Sequence, residues 1–86
     1  MKRRFQVVVS LKQGLLDTQG KAVQEALPAA GFEGVTDVRV GKLVEMTVEA
    51  ANEAAALAIV GEIAGRVLSN PVIEEFRVLE SEEAGA

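Results

Sequence analysis

Val38-Arg39-Val40-Gly41-Lys42 joins two runs, residues 35–40 and 44–48, in which every second residue is apolar or β-branched. That period is the signature of strands with one buried face. Gly41 supplies the freedom to turn one run back on the other. A two-residue turn at Gly41-Lys42 sets Val38 opposite Glu45 and Asp37 opposite Met46. A three-residue loop, Gly41-Lys42-Leu43, sets Val40 opposite Val44, Val38 opposite Met46 and Thr36 opposite Val48. Only the second choice leaves one apolar face, so the sequence predicts a hairpin with the odd-length loop and a bulge.

Upstream, Phe5, Val7, Val9 and Leu11 alternate with Arg4, Gln6, Ser10 and Lys12, which predicts a first half-buried strand over 4–12. Asp17 is the expected N-cap of a helix whose apolar stripe is Val23, Ala26, Leu27 and Ala30. Pro28 removes a backbone donor and crowds the preceding turn, so this helix is expected to kink or stop near Leu27, with Gly31 closing the segment. Downstream, Asn52 caps a second helix expected to run to about Ser69, with Glu62 and Arg66 as an i,i+4 pair. Ala56, Ile59, Val60, Ile63 and Val67 form its core stripe. Leu57, Ala64 and Leu68 widen the apolar surface beyond what one sheet covers, which points to a subunit contact. Ala54, Ala58, Gly61 and Gly65 permit close approach of another backbone, from the sheet or from a neighbour. Asn70-Pro71 ends the helix, and 72–79 is the last strand.

The order β-α-β-β-α-β predicts an α+β domain over 1–79. Its expected form is a four-stranded antiparallel sheet with two helices on one face, ferredoxin-like or a strand-exchanged dimeric variant of it. Right-handed crossovers place the first and third strands in the middle. The second and fourth are then edges across which a dimer can extend or exchange strands. The tail 80–86, acidic and rich in small residues, is expected to be disordered.

With 86 residues the chain makes one small domain, and only Phe5, Phe32 and Phe76 are aromatic, so its core is aliphatic. It has no cysteine and no histidine, which excludes disulfides, Cys/His metal centres, thiol nucleophiles and imidazole chemistry. The formal charge of −4 argues against nucleic acid as a partner, and the small cluster Lys2-Arg3-Arg4 reads as a solvated chain end. No run approaches transmembrane length, so neither a membrane nor a secretory route is expected and the cytoplasm is the default address. The 13 carboxylates show no partner suited to raising a pKa, and no phosphate-cradling glycine loop is present. No catalytic, metal or cofactor-binding residue is expected.

Three stretches stand together: Leu16-Asp17-Thr18-Gln19-Gly20, Val38-Arg39-Val40-Gly41-Lys42, and Asn70-Pro71-Val72-Ile73-Glu74-Glu75-Phe76-Arg77-Val78. In this order and spacing the chain resembles the PurS family, the small subunit of phosphoribosylformylglycinamidine (FGAM) synthase, over about residues 4–79. Thr18 stands where the family commonly has proline, and Phe76 where tyrosine is commoner. Pro28 interrupts a helix expected to be continuous.

The resemblance implies a non-catalytic subunit of a cytoplasmic purine-biosynthetic complex. It bridges a large synthetase subunit and a glutaminase subunit and supports ammonia transfer between them. It also implies a homodimer or tetramer, with ATP, Mg and glutamine used by the partner subunits and no cofactor on this chain. Resemblance and surface reach together single out Asp17, Gln19, Gly20, Arg39, Gly41, Lys42, Asn70 and Pro71 as partner-contact or shape-setting residues. The alternative reading is an ACT-like regulatory module that binds a small molecule through its first Gly-containing loop, Gln13-Gly14.

Overall fold

A computed structural model describes residues 1–83. Five regular elements are used below: β1 (Lys2–Leu11), α1 (Thr18–Ala26), β2 (Lys42–Glu49), α2 (Glu53–Ile63) and β3 (Glu74–Glu83). They form a three-stranded antiparallel sheet in the order β2-β1-β3. β1 is central because its alternation is the cleanest in the chain: Phe5 and Val7 are fully buried and Val9 is 1% exposed. Val44 and Met46 of β2 lie opposite Val7 and Phe5, and Val78 of β3 lies opposite Val7 from the other side. All these residues therefore share one face.

α2 covers that face. Asn52 accepts from the Ala55 N–H at 2.8 Å and starts the helix as predicted. Ala56, Val60 and Ala64, four residues apart, are the buried stripe. The helix continues through a π-type turn, Ala64–Leu68, closed by the Ser69 N–H on the Ala64 carbonyl. Gly65 brings this turn against the Phe76 ring, whereas Gly61 faces open space. The Glu62–Arg66 pair forms on the exposed side at 2.6 Å. Of the wider expected stripe, Ile59 is 39% exposed and Val67 75%, because one sheet of three strands is too narrow to cover them.

The predicted hairpin does not form. Residues 35–40 lie in no strand, and the sheet has three strands where four were expected. Counting the expected strands from one to four, the observed order is fourth, first, third. It is the expected ferredoxin-like order with the second strand missing from its place beside β2. The chain runs through Gly41 without turning back, and the Val38 and Val40 N–H groups bond to side chains of the Asp17–Gln24 segment instead. α1 also departs from expectation: it stands off the sheet, and its main packing is with the 3₁₀ turn Pro28–Ala30. The early stop itself is as predicted, with α1 ending at Ala26 and Gly31 closing the turn at φ 95°.

β3 continues to Glu83 rather than ending at Leu79, because the backbone of β1 is long enough to pair with it back to Arg3. The remainder of the acidic tail, 84–86, lies outside the described residues. Arg3 and Arg4 are strand residues rather than a free chain end, and reach Glu53 at 3.5 Å and Glu45 at 3.4 Å.

A compact chain of this length has a radius of gyration of about 12 Å; this one has 16.4 Å and extends 51 Å along its longest axis. Its accessible surface is 5890 Å², against about 4,900 Å² for a compact monomer of this mass. Leu16, Val23, Phe32 and Val35 are 70%, 45%, 59% and 45% exposed. The lone chain is unfinished on the side where the second strand was expected.

Candidate functional site

The three motif stretches meet at one end of the sheet, where β1 stops and β2 and β3 begin. Asp17 is the junction and is only 8% exposed. Its Oδ1 accepts from the Gly20 N–H at 2.8 Å, capping α1. Its Oδ2 accepts from the Val40 N–H at 2.7 Å, which fastens α1 to the segment entering β2. The sequence identified the cap but not the second bond, since a backbone donor 23 residues away leaves no mark on residue pattern.

Gly20 is buried in the same junction. A Cβ there would lie 2.2 Å from the Val38 carbonyl oxygen and 2.9 Å from Asp17 Oδ2. At Gly41 a Cβ would lie 2.6 Å from the Val9 carbonyl oxygen. Both glycines let two backbones touch. Gly41 was expected to make a turn, and close approach is its actual role.

Arg39 reaches back over the loop after β1, donating to the carbonyl oxygens of Leu11 at 3.0 Å, Lys12 at 3.4 Å and Leu15 at 3.4 Å. An arginine chosen for its surface reach thus also fixes its own chain. Asn70 and Pro71 shape the turn into β3. Asn70 Oδ1 accepts from the Val72 N–H at 3.1 Å, and the Asn70 N–H donates to Glu74 Oε1 at 2.7 Å. The Lys12 N–H donates to the Ile73 carbonyl at 2.9 Å and ties this turn to the same end of the sheet.

Between these parts lies an open cleft of about 350 Å³. It is lined by four of the eight expected residues, Asp17, Gln19, Gly41 and Lys42, joined by Ser10, Thr18 and Glu74, which were not among the eight. Gly20, Arg39, Asn70 and Pro71 do not line it. Among the described residues no group of three or more Asp or Glu is placed to hold a metal ion.

The chemistry open to Asp17 follows from its partners. The Gly20 N–H, then the Val40 N–H, with the charge of Arg39 in support, hold its carboxyl below the ordinary value of 3.8. A carboxylate kept ionised, with each oxygen bonded to backbone, is a clamp rather than a proton donor. Because its folded pKa is lower than its unfolded one, its stabilising contribution is complete above the unfolded value. That contribution is lost as pH falls through the folded one. Glu45, lowered first by the Gln6 amide and then by Arg4, adds in the same direction. Thermal midpoint measured against pH should therefore fall below about pH 4, and Asp17→Asn should flatten part of that fall. Asp17→Ala, which removes cap and clamp together, should lower the neutral-pH midpoint by roughly 4–8 °C.

Fold and site together define a small α+β assembly subunit: a sheet lacking one strand, a helix without a floor, and a polar junction that holds the chain's own backbone. Comparison with known proteins agrees. The family model PurS, phosphoribosylformylglycinamidine (FGAM) synthase, matches residues 4–82. The chain belongs to the PurS family. A PurS subunit from Bacillus subtilis is 42% identical over 74 residues, which cover 86% of this chain and 87% of that one. The crystal structure of the Thermotoga maritima PurS subunit superposes with a TM-score of 0.88 at 30% identity, covering 94% of this chain and 93% of that one. A second Thermotoga maritima structure, of PurLQS, contains a chain that matches with the same TM-score and identity, covering 94% of this chain and 99% of its own. These matches support the PurS reading of the sequence and not the ACT-like one.

Proposed function

We propose that this chain is the small subunit of an FGAM synthase. It joins a synthetase subunit and a glutaminase subunit, using surface rather than any reacting group of its own. The observation that carries this reading is the junction at Asp17: the most buried carboxylate of the cleft has both oxygens engaged by backbone N–H groups, one in α1 and one in the segment entering β2. In the complex the chain holds its partners in register for ammonia to pass from glutaminase to synthetase. ATP, Mg and glutamine are handled by those partners. The excess surface and the vacant strand position fit a homodimer or a tetramer as the building unit. No described helix is long and apolar enough to cross a membrane, and a cytoplasmic location suits a pathway of soluble nucleotides.

The test is reconstitution from three separately purified subunits, following conversion of formylglycinamide ribonucleotide. Omitting this chain should lower the glutamine-dependent rate at least about tenfold while leaving the isolated glutaminase intact. Equal rates with and without the chain overturn the proposal.

A further inference from the structure

The β1–β2 ladder ends one pair early, and two side chains take over the bonds of the pair that is missing. Near the chain start the Met1 amino group donates to the Ala50 carbonyl at 2.6 Å, and the Ala50 N–H donates to the Met1 carbonyl at 2.9 Å. Such a doubly bonded pair sets the alternation of an antiparallel ladder. Every second pair from it, as far as Val7 with Val44 and Val9 with Lys42, turns its backbone groups inward. The next pair in that series is Leu11 with Val40, and the ladder stops before it. The Val40 N–H goes instead to Asp17 Oδ2 at 2.7 Å, and the Leu11 carbonyl receives Arg39 Nη2 at 3.0 Å. A carboxylate stands in for the Leu11 acceptor, and a guanidinium for the Val40 donor.

The guanidinium does more than replace one N–H. Nη2 also reaches the Lys12 carbonyl at 3.4 Å, and Nη1 reaches the Leu15 carbonyl at 3.4 Å. A turn over Lys12–Leu15, closed by the Leu15 N–H on the Lys12 carbonyl at 3.3 Å, brings the three oxygens within reach of one group. Carbonyl dipoles aimed at one place repel one another and attract a cation, which is how backbone oxygens hold potassium in channel filters. Here the cation is planar and forked. Its two Nη atoms serve three oxygens from one rigid plane, which the single nitrogen of a lysine cannot match. The bonds are charge-assisted, and so stronger than neutral ones of the same geometry.

We infer that the carbonyls of Leu11, Lys12 and Leu15 form a guanidinium site, filled by Arg39 of the same chain, and that Arg39 is through it a positioning residue for the glutamine-dependent reaction. This rests on the FGAM synthase reading above and deepens it. Arg39, expected from the sequence to touch a partner, acts on the loop between β1 and α1. Emptying the site releases that loop at Leu11 and Leu15 and loosens the neighbouring bond from Val40 to Asp17. The cleft then loses the setting of one side, because Leu11, Asp17, Thr18 and Gln19 all line it. A partner subunit meets polar groups that are no longer held in place, and binding must include the entropy cost of ordering them.

Arg39→Ala and Arg39→Lys test this, with millimolar ethylguanidinium as the probe for the emptied site. Arg39→Lys keeps the charge and most of the stem, and covers the case of an alanine variant that does not fold. In the isolated full-length chain, where no partner is present, the Leu15 and Val40 amides should exchange with solvent hydrogen at least about tenfold faster in either variant. Ethylguanidinium should slow them again in Arg39→Ala, and sodium chloride at equal ionic strength should not. In the three-subunit reaction Arg39→Ala should lower the glutamine-dependent rate at least about tenfold, with partial recovery on adding ethylguanidinium, and Arg39→Lys should stay low. A lysine variant with full rate and unchanged amides makes Arg39 a partner-contact charge and overturns the proposal. So does a full rate in Arg39→Ala, or fast exchange that ethylguanidinium leaves fast. An unaltered chain that does not stimulate the reaction overturns the subunit reading and with it the role of Arg39 in that reaction, while recovery of the amides in the isolated chain upholds the guanidinium site itself.

Discussion

Replacing Phe5 by alanine is expected to leave the chain largely unfolded at 37 °C. Phe5 is fully buried in β1, and among the described residues only Val7, Val9, Val48, Ala56, Val60 and Ala64 share the buried core with it. Three of those seven positions are valines of β1 and β2, and three lie on α2 and the turn that continues it, two of them alanines, so Phe5 supplies the largest single volume. Truncating a buried phenylalanine costs about 3–5 kcal/mol, part from lost transfer energy and part from the cavity. A chain of this length has about 4–13 kcal/mol in all at 0.05–0.15 kcal/mol per residue, and a core this thin belongs to the lower half. Denaturant unfolding of Phe5→Ala beside Phe32→Ala measures the difference. Phe32 is 59% exposed, and its loss should move the midpoint little. Equal shifts would show that the face under α2 is not what holds the sheet.

Gly20→Ala is expected to be destabilising although helix propensity says the reverse. Alanine is favoured over glycine by about 1 kcal/mol inside a helix. Here its Cβ falls 2.2 Å from the Val38 carbonyl oxygen and 2.9 Å from Asp17 Oδ2. The first neighbour is backbone, and the second accepts the Val40 N–H while its sister oxygen accepts the Gly20 N–H, so the carboxylate cannot give way without releasing the Val40 N–H. Overpacking of this kind costs about 1–3 kcal/mol, which outweighs the propensity gain. The effect should be greatest on assembly: α1 separates from residues 38–40, and affinity for the other subunits falls with little loss of sheet. Circular dichroism with pull-down against both partner subunits separates the two readouts. A Gly20→Ala chain that is more stable and binds normally would disprove the close contact between α1 and Val38.

Much of the local structure was legible because its causes are local. The β1 alternation, the Asp17 and Asn52 caps, the stop at Leu27–Pro28 with Gly31 in the left-handed region, and the Glu62–Arg66 pair depend on residues within about four positions of one another. The family was legible too, since its three motifs are short and ordered. The candidate site was legible as residue identities and not as a geometry. Asp17, Gln19, Gly41 and Lys42 gather around one cleft, but Ser10 and Glu74 join them only because β1 ends where β3 begins. The contacts of Arg39 are with carbonyl oxygens, which every residue carries and no residue type announces.

The amino-acid order by itself determined the face that Val44, Met46 and Val48 share, because alternation along a strand specifies which side is apolar. It also led to the expectation that Val38 and Val40 extend that face as a strand of their own, which they do not. That was decided in three dimensions, where Asp17 and Gln24 take the Val40 and Val38 N–H groups, Gly41 lies flat against Val9, and the chain passes straight on instead of folding back. The reason is physical: alternation marks a segment that is able to pair, and only the path of the backbone and the competing hydrogen bonds to Asp17 and Gln24 decide whether it does.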